Sequence, residues 1–134
     1  MNPEIHTHHP VYAGGLLLLI AAPVHILVPQ EVSIGLAAIT LSLIGGAYIG
    51  FGAQANDLKT MVMELVVACL FGLAALTGLF WHWSAIPLGL AVHAIWDLLH
   101  HRPDFGAQVP QWYIPLCVVF DLSAALLLVI LYAT

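Results

Sequence analysis

The sequence predicts an all-α protein, a bundle of five transmembrane helices. Of its 134 residues, 62% are hydrophobic and only 7% are charged, and the mean hydropathy is +1.01. A soluble domain carries roughly a quarter charged residues, so these few polar groups could not cover the chain's apolar surface in water. We therefore expect lipid to surround most of the chain.

The apolar sequence divides into five segments, each near the ~20 residues that a helix needs to cross a bilayer. Pro29 and two polar residues close the first segment, and the second, rich in small residues, ends at GAQANDLK. The connection between the third and fourth segments, around Trp81-His82-Trp83, is very short, so these two helices should be antiparallel neighbours. We predict one membrane domain over 1–134, with a short polar tail at 1–10 and spans at about 11–28, 32–52, 59–80, 83–101 and 110–132.

The two basic residues, Lys59 and Arg102, predict the orientation. In a five-span chain they lie in the second and fourth connections, on the same side as the N-terminus. The positive-inside rule then places the N-terminus in the cytoplasm and the C-terminus outside, in the inner membrane of the cell. With a net charge of −5, the chain has no electrostatic basis for binding nucleic acid.

The two cysteines, Cys69 and Cys117, both fall within predicted spans. We expect both to be small buried side chains, with no disulfide framework behind them.

Six ionisable residues in the last three spans point to chemistry, because such side chains are costly at membrane depth. At ~100° per residue, His93, Asp97 and His100 share one face of the fourth span, with His101 beside them. By depth, all six fall in the cytoplasmic half of the membrane. The six are Glu64, His93, Asp97, His100, His101 and Asp121.

Imidazoles and carboxylates at this spacing are typical ligands of a divalent metal such as zinc or iron. We expect His93 and Asp97 to be metal ligands together with His100 or His101, and Glu64 or Asp121 to complete the set. The remaining carboxylate would act as the catalytic acid or base. One ion would suit a hydrolase, two irons an oxidation, and a metal-free site an isomerase or cyclase.

Structural explanations stand beside the catalytic one. Polar side chains in membrane bundles also act as interhelical hydrogen bonds, each worth about 0.6–2 kcal/mol. We expect His25, at the other end of the bundle, to have that role. His100 and His101 could equally cap the end of their helix.

Several segments resemble a family of small bacterial multi-pass membrane proteins of unknown function. The resemblance rests on AVHAIWDLLHH (91–101), VPQWYIPLCVVFDL (109–122), GGAYIGFG (45–52) and Glu64. It implies a membrane fold and no particular reaction. The Asp and His residues on several helices are also similar in type to those of alkaline ceramidases and adiponectin receptors, which have seven spans, and this second similarity assigns no residue.

The sequence thus favours a small intramembrane enzyme, metal-dependent, that acts on a lipid-like or apolar substrate from the cytoplasmic leaflet. The alternative is a non-catalytic subunit or carrier that binds a lipid, a quinone or a pigment. The lipid bilayer and a small amphipathic substrate are the expected partners, with a homo-oligomer or larger membrane complex as a further possibility.

Overall fold

The five-helix, all-α fold is confirmed by a computed structural model that describes residues 4–134, with side chains from residue 9 onward. The helices are α1 (Glu4–Leu27), α2 (Gln30–Ala53), α3 (Leu58–Phe80), α4 (Ala85–Leu99) and α5 (Tyr113–Ala133). By length and composition, α1, α2, α3 and α5 could each cross a membrane, whereas α4 has only 15 residues. Four helices of this length and composition indicate a membrane protein.

The helix ends differ from the predicted spans at three places. Helix α1 begins at Glu4, inside the predicted polar tail. Helix α4 is shorter than the predicted 83–101, and α5 begins at Tyr113 instead of 110. Residues 100–112 form a folded connection between them, because the chain leaves the helix at His100 and turns back across the end of the bundle.

Glycines bring α2 and α3 into close contact. A Cβ atom at Gly45 would lie 2.6 Å from Cβ of Phe71, and one at Gly52 would lie 2.8 Å from Cβ of Glu64. Only glycine fits at such distances, so these positions set the separation of the two helices. They also bring Glu64 against α2.

Helix α4 packs against α2, α3 and α5, while α1 packs along α5 and touches α2. The apolar core therefore has α4 at its centre, with Leu41, Ile86 and Leu90 almost completely buried there. Large apolar side chains cover the outside, among them Leu43, which is 70% exposed in the isolated chain. An exposed apolar surface of this kind suits contact with lipid.

The expectation for the cysteines is half right. Cys117 is buried, but Cys69 lies on the exposed face of α3. Cys69 is therefore wrongly predicted as buried, because apolar sequence continues around the whole helix and does not mark its inner face.

At the end of the bundle that carries the α1–α2 connection, a polar network joins α1, α2 and α5. Nδ1 of His25 lies 2.7 Å from Oγ of the fully buried Ser33, which also hydrogen-bonds the hydroxyl of Tyr132. His25 thus takes part in an interhelical hydrogen bond between α1 and α2, as expected from its position.

Candidate functional site

Five acidic and histidine side chains of the described residues are buried in the half of the bundle that carries the α2–α3 and α4–α5 connections. Four of them have no exposed surface and His100 is 6% exposed, so none of the five faces lipid. They form two separate groups. The inner group is His93, Asp97 and Asp121, and the outer pair is Glu64 and His100.

In the inner group, one imidazole nitrogen lies between two carboxylates. Nδ1 of His93 is 2.6 Å from Oδ2 of Asp121, on α5, and 3.3 Å from Oδ2 of Asp97, one turn further along α4. The i, i+4 spacing on α4 accounts for the second contact, and the packing of α4 on α5 accounts for the first.

The other ring nitrogen of His93 fixes its hydrogen-bonding role. Nε2 lies 3.2 Å from the backbone oxygen of Ile44, which can only accept, so Nε2 carries the hydrogen and donates it. Nδ1 is then the atom that either binds a metal or shares a proton with a carboxylate. Metal-binding histidines commonly donate their second N–H to a backbone carbonyl in this way.

Two tyrosines support this arrangement. Tyr48 on α2 is fully buried and donates a hydrogen bond of 2.5 Å to Oδ1 of Asp97. Tyr113 on α5 donates over 2.8 Å to the same Ile44 oxygen that accepts from His93. The carboxylate and the imidazole are therefore both held from outside the group.

The inner group fits a divalent metal ion. One ligand atom from each of His93, Asp97 and Asp121 can be chosen such that all lie within 4.8 Å of one another. Ligands at the ~2.0–2.2 Å typical of zinc lie within ~4.4 Å of one another, so small shifts would close the group around an ion. Oδ2 of Asp97 and Oδ1 of Asp121 are buried without hydrogen-bond partners. Because buried anionic oxygens need compensation, a cation at this position would satisfy both.

The outer pair joins α3 to the end of α4. Nε2 of His100 lies 2.6 Å from Oε1 of Glu64, and Nδ1 of His100 lies 2.8 Å from the carbonyl oxygen of Trp96. The carbonyl requires a donor, so Nδ1 carries a hydrogen and Nε2 shares a proton with Glu64. Oε1 also accepts the backbone N–H of Ala107 over 2.9 Å, while Oε2 is buried without a partner.

The α4–α5 connection packs directly on this pair. Gly106 has φ of +66°, and a Cβ atom there would lie 2.4 Å from Nε2 of His100 and 2.7 Å from Oε1 of Glu64. A larger residue would collide with both side chains, so glycine is required by its conformation and by its neighbours.

The structure thus brings together five of the six predicted site residues, but not in one constellation. His93 and His100 are seven positions apart in the sequence, or about 10 Å along the direction of α4 at ~1.5 Å per residue. Asp121, expected among the catalytic residues or as a further ligand, belongs to the inner group, whose geometry suits a metal ion. His100, expected among the ligands, pairs with Glu64, and His101 is exposed, away from both groups.

Sequence reasoning missed Tyr48, Tyr113 and Gly106. Tyr48 lies among the glycines of the second predicted span. A phenol inside a span, away from the membrane interfaces, is a signal that could have identified it as an internal hydrogen-bond donor. Tyr113 lies near the predicted start of the fifth span, a position typical of interfacial aromatic residues, but it is buried. Gly106 gave no signal, because its role depends on how a loop folds.

A polar cavity of about 290 Å³ opens where the two connections meet. The α2–α3 turn provides one wall, and Gly106 and Ala107, which also contact the outer pair, are part of the other. The cavity therefore lies next to Glu64 and His100.

Residues 7–132 match a family of unknown function, DUF6010. The chain belongs to this family. No curated protein and no solved structure matches it at a significant level. The match to DUF6010 includes all five buried ionisable residues and both tyrosines, so the family region contains both groups and the cavity wall.

Proposed function

We propose that the chain is a small intramembrane enzyme, dependent on one divalent metal ion, that acts on an amphipathic or lipid-like substrate. His93, through Nδ1, with Asp97 and Asp121 would hold the ion. Three protein ligands with an open position for water are typical of catalytic zinc sites, and carboxylates and imidazole also suit iron.

One observation carries the proposal. Two carboxylates and an imidazole converge in a fully buried position, and each carboxylate keeps one oxygen without a hydrogen-bond partner. Hydrogen-bonding adhesion between helices needs no such pair of acids, since neutral side chains would bond with a much smaller desolvation penalty. A bound cation explains two buried carboxylates beside an imidazole better than hydrogen bonding between helices does.

In this proposal each residue has a defined task. A bound ion would supply a Lewis acid or an activated water. Tyr48 would orient Asp97, and the Ile44 carbonyl would fix the imidazole of His93 in the required tautomer. His100 lies about 10 Å from His93 along the direction of α4, and Glu64, on α3, contacts His100, so we do not place either as a ligand of the same ion. We assign them to proton exchange, since they already share a proton next to a polar cavity.

The setting of the enzyme belongs to the same proposal. We place the family among bacterial multi-pass membrane proteins, and this chain in the inner membrane with its N-terminus in the cytoplasm. The cavity then opens to the cytoplasmic side, because Lys59, at the start of α3, and Arg102, in the α4–α5 connection, lie at that end. A homo-oligomer or larger complex remains compatible with this arrangement.

Metal binding by the full-length chain tests the proposal. We expect purified protein titrated with zinc or iron(II) to retain about one ion per chain by elemental analysis. Asp97→Asn and Asp121→Asn should lose the ion but remain folded, because an amide keeps the shape and loses the anionic oxygen. Glu31→Gln, at an exposed carboxylate on α2, is the matched control. Unchanged metal content in both Asn variants, or no binding by the wild type, would contradict the proposal.

A non-catalytic carrier is the alternative, and it has less support. The described residues include an apolar crevice between helices, bordered by Leu18, Leu90 and Phe120, with a volume of about 40 Å³. Small-molecule sites usually measure roughly 300–1,000 Å³. We therefore place the enzyme first.

A further inference from the structure

The polar cavity has the properties of a ligand site in its own right. Its volume of about 290 Å³ is near the lower end of the range for small-molecule sites, roughly 300–1,000 Å³. Three carboxamides and a hydroxyl line it, from Gln54, Asn56, Gln108 and Thr60. Each of these groups can both donate and accept hydrogen bonds, as alcohol hydroxyls also do.

The cavity also adjoins the chemistry of the outer pair. Gly106 and Ala107 line the cavity on one side, and on the other they contact His100 and Glu64. A group bound in the cavity is thus separated from the shared proton of this pair by the thickness of one backbone segment. Ala107 holds the segment in place through its N–H bond to Glu64.

The charge of the lining argues against an anionic ligand. Neither Lys59 nor Arg102 is among the lining residues, and phosphate sites in proteins commonly use such side chains. The one charged lining residue is Asp57, whose Oδ1 accepts the Thr60 N–H at the start of α3. This hydrogen bond holds the pKa of Asp57 below its usual value, so the carboxylate is ionised at neutral pH.

A cationic ligand is also disfavoured. The Asp57 carboxylate is already compensated by the N-terminal end of α3, where the helix dipole favours a negative charge. Cages for quaternary ammonium groups are built from several aromatic rings, and Phe51 is the one ring among the lining residues.

We propose that this cavity binds a neutral, hydroxyl-bearing headgroup of an amphipathic molecule whose apolar chain stays in the lipid. Identifying that molecule as the substrate rests on the proposed function. The binding itself does not, because the cavity shares no residue with the metal-binding group.

Three probes with the same oleyl-type chain distinguish the possible ligands. The full-length protein in phosphatidylcholine nanodiscs is titrated with monooleoylglycerol, oleoyl lysophosphatidic acid or oleyltrimethylammonium, and its thermal unfolding is followed. We expect monooleoylglycerol alone to raise the Tm with saturation. Thr60→Val and Gln108→Leu should each raise its half-saturating concentration roughly three- to tenfold, the effect of losing one hydrogen bond. Gln111→Leu, exposed and outside the lining, is the control and should bind as the wild type does.

Two outcomes would overturn the inference. One is a Tm increase with the phosphate or ammonium probe that equals or exceeds the increase with monooleoylglycerol. The other is an unchanged half-saturating concentration in Gln108→Leu, a substitution at an exposed loop position that should leave the fold intact. Zinc content is measured in the same samples. If the protein binds monooleoylglycerol but no zinc, the proposed metal site is refuted and the proposed headgroup site is supported. If it binds zinc but not monooleoylglycerol, the headgroup site is refuted and the metal site is supported.

Discussion

Tyr48 donates a hydrogen bond of 2.5 Å to Oδ1 of Asp97, and both side chains are fully buried. The bond links α2 to α4 and leaves Oδ2 of Asp97 directed to Nδ1 of His93. Tyr48 therefore controls which carboxylate oxygen is available to the inner group.

Replacing this phenol should weaken metal binding without removing a ligand. We expect Tyr48→Phe to lower zinc affinity about 10- to 100-fold, the usual effect of losing a partner that orients a ligand. The free energy of unfolding should fall by about 1–3 kcal/mol, because Oδ1 is left buried without a donor. Isothermal titration and thermal unfolding measure the two effects.

Tyr113→Phe provides the comparison. It loses a bond to the Ile44 oxygen, which still accepts from His93, so its zinc affinity should change less. Equal losses in the two variants would show that Tyr48 has no special relation to the metal.

Gly106→Ala should destabilise the protein by more than about 2 kcal/mol. The positive φ alone costs about 1–2 kcal/mol for a residue with a Cβ, and that atom would also meet His100 at 2.4 Å. Thermal unfolding measures the loss. Gly46→Ala, in α2 with nothing near its Cβ position, should instead be neutral or gain about 0.5–1 kcal/mol. A Gly106→Ala protein as stable as the wild type would refute the close packing of this loop on the outer pair.

Ser33→Ala should distinguish a hydrogen bond that only joins helices from the side chains that bind the metal. Ser33 is buried and hydrogen-bonded to His25 and Tyr132 at the end of the bundle opposite the inner group. We expect a loss of about 1–3 kcal/mol in unfolding free energy with no change in metal content. Ser42→Ala, at an exposed position on α2, should alter neither quantity. Loss of metal in Ser33→Ala would mean that the two ends are coupled.

The orientation can be measured with reporters. A periplasmic reporter fused after Thr134 should be active, since five spans from a cytoplasmic N-terminus end outside. The same reporter placed in the α4–α5 connection, beside Arg102, should be silent. The opposite pattern would turn the polar cavity to the outer side.

Hydropathy alone predicted the five helices. In lipid every backbone N–H and C=O must be hydrogen-bonded within the protein, which leaves few structures other than helices for such a sequence. Depth along each span also predicted that the ionisable residues share one half of the bundle. The division into two groups was not predictable. It depends on the rotation of α3 about its axis, which directs Glu64 to His100 and away from Asp121, and apolar sequence around the whole of α3 gives no signal of rotation.

The predicted role of His101 depended on α4 continuing to that residue. Because the helix ends at Leu99, His100 remains close enough to the helix face to meet Glu64 and His101 turns outward. Loop conformation, set by tertiary contacts such as the Ala107–Glu64 bond, decided which histidine entered the interior.

Helix α4 rises about 22 Å over its 15 residues, whereas the hydrocarbon core of a bilayer is ~30 Å thick. Its longer neighbours α2 and α3 rise about 36 and 34 Å and reach past its end. The end of α4 is therefore recessed and the α4–α5 connection folds over it, so water in the polar cavity that this connection lines would extend below the level of the surrounding lipid headgroups. A lipid diffusing laterally could then place its polar end in the cavity, across the Gly106–Ala107 segment from Glu64 and His100, while its chain remained in the membrane, with no energetic cost of extraction into the aqueous phase.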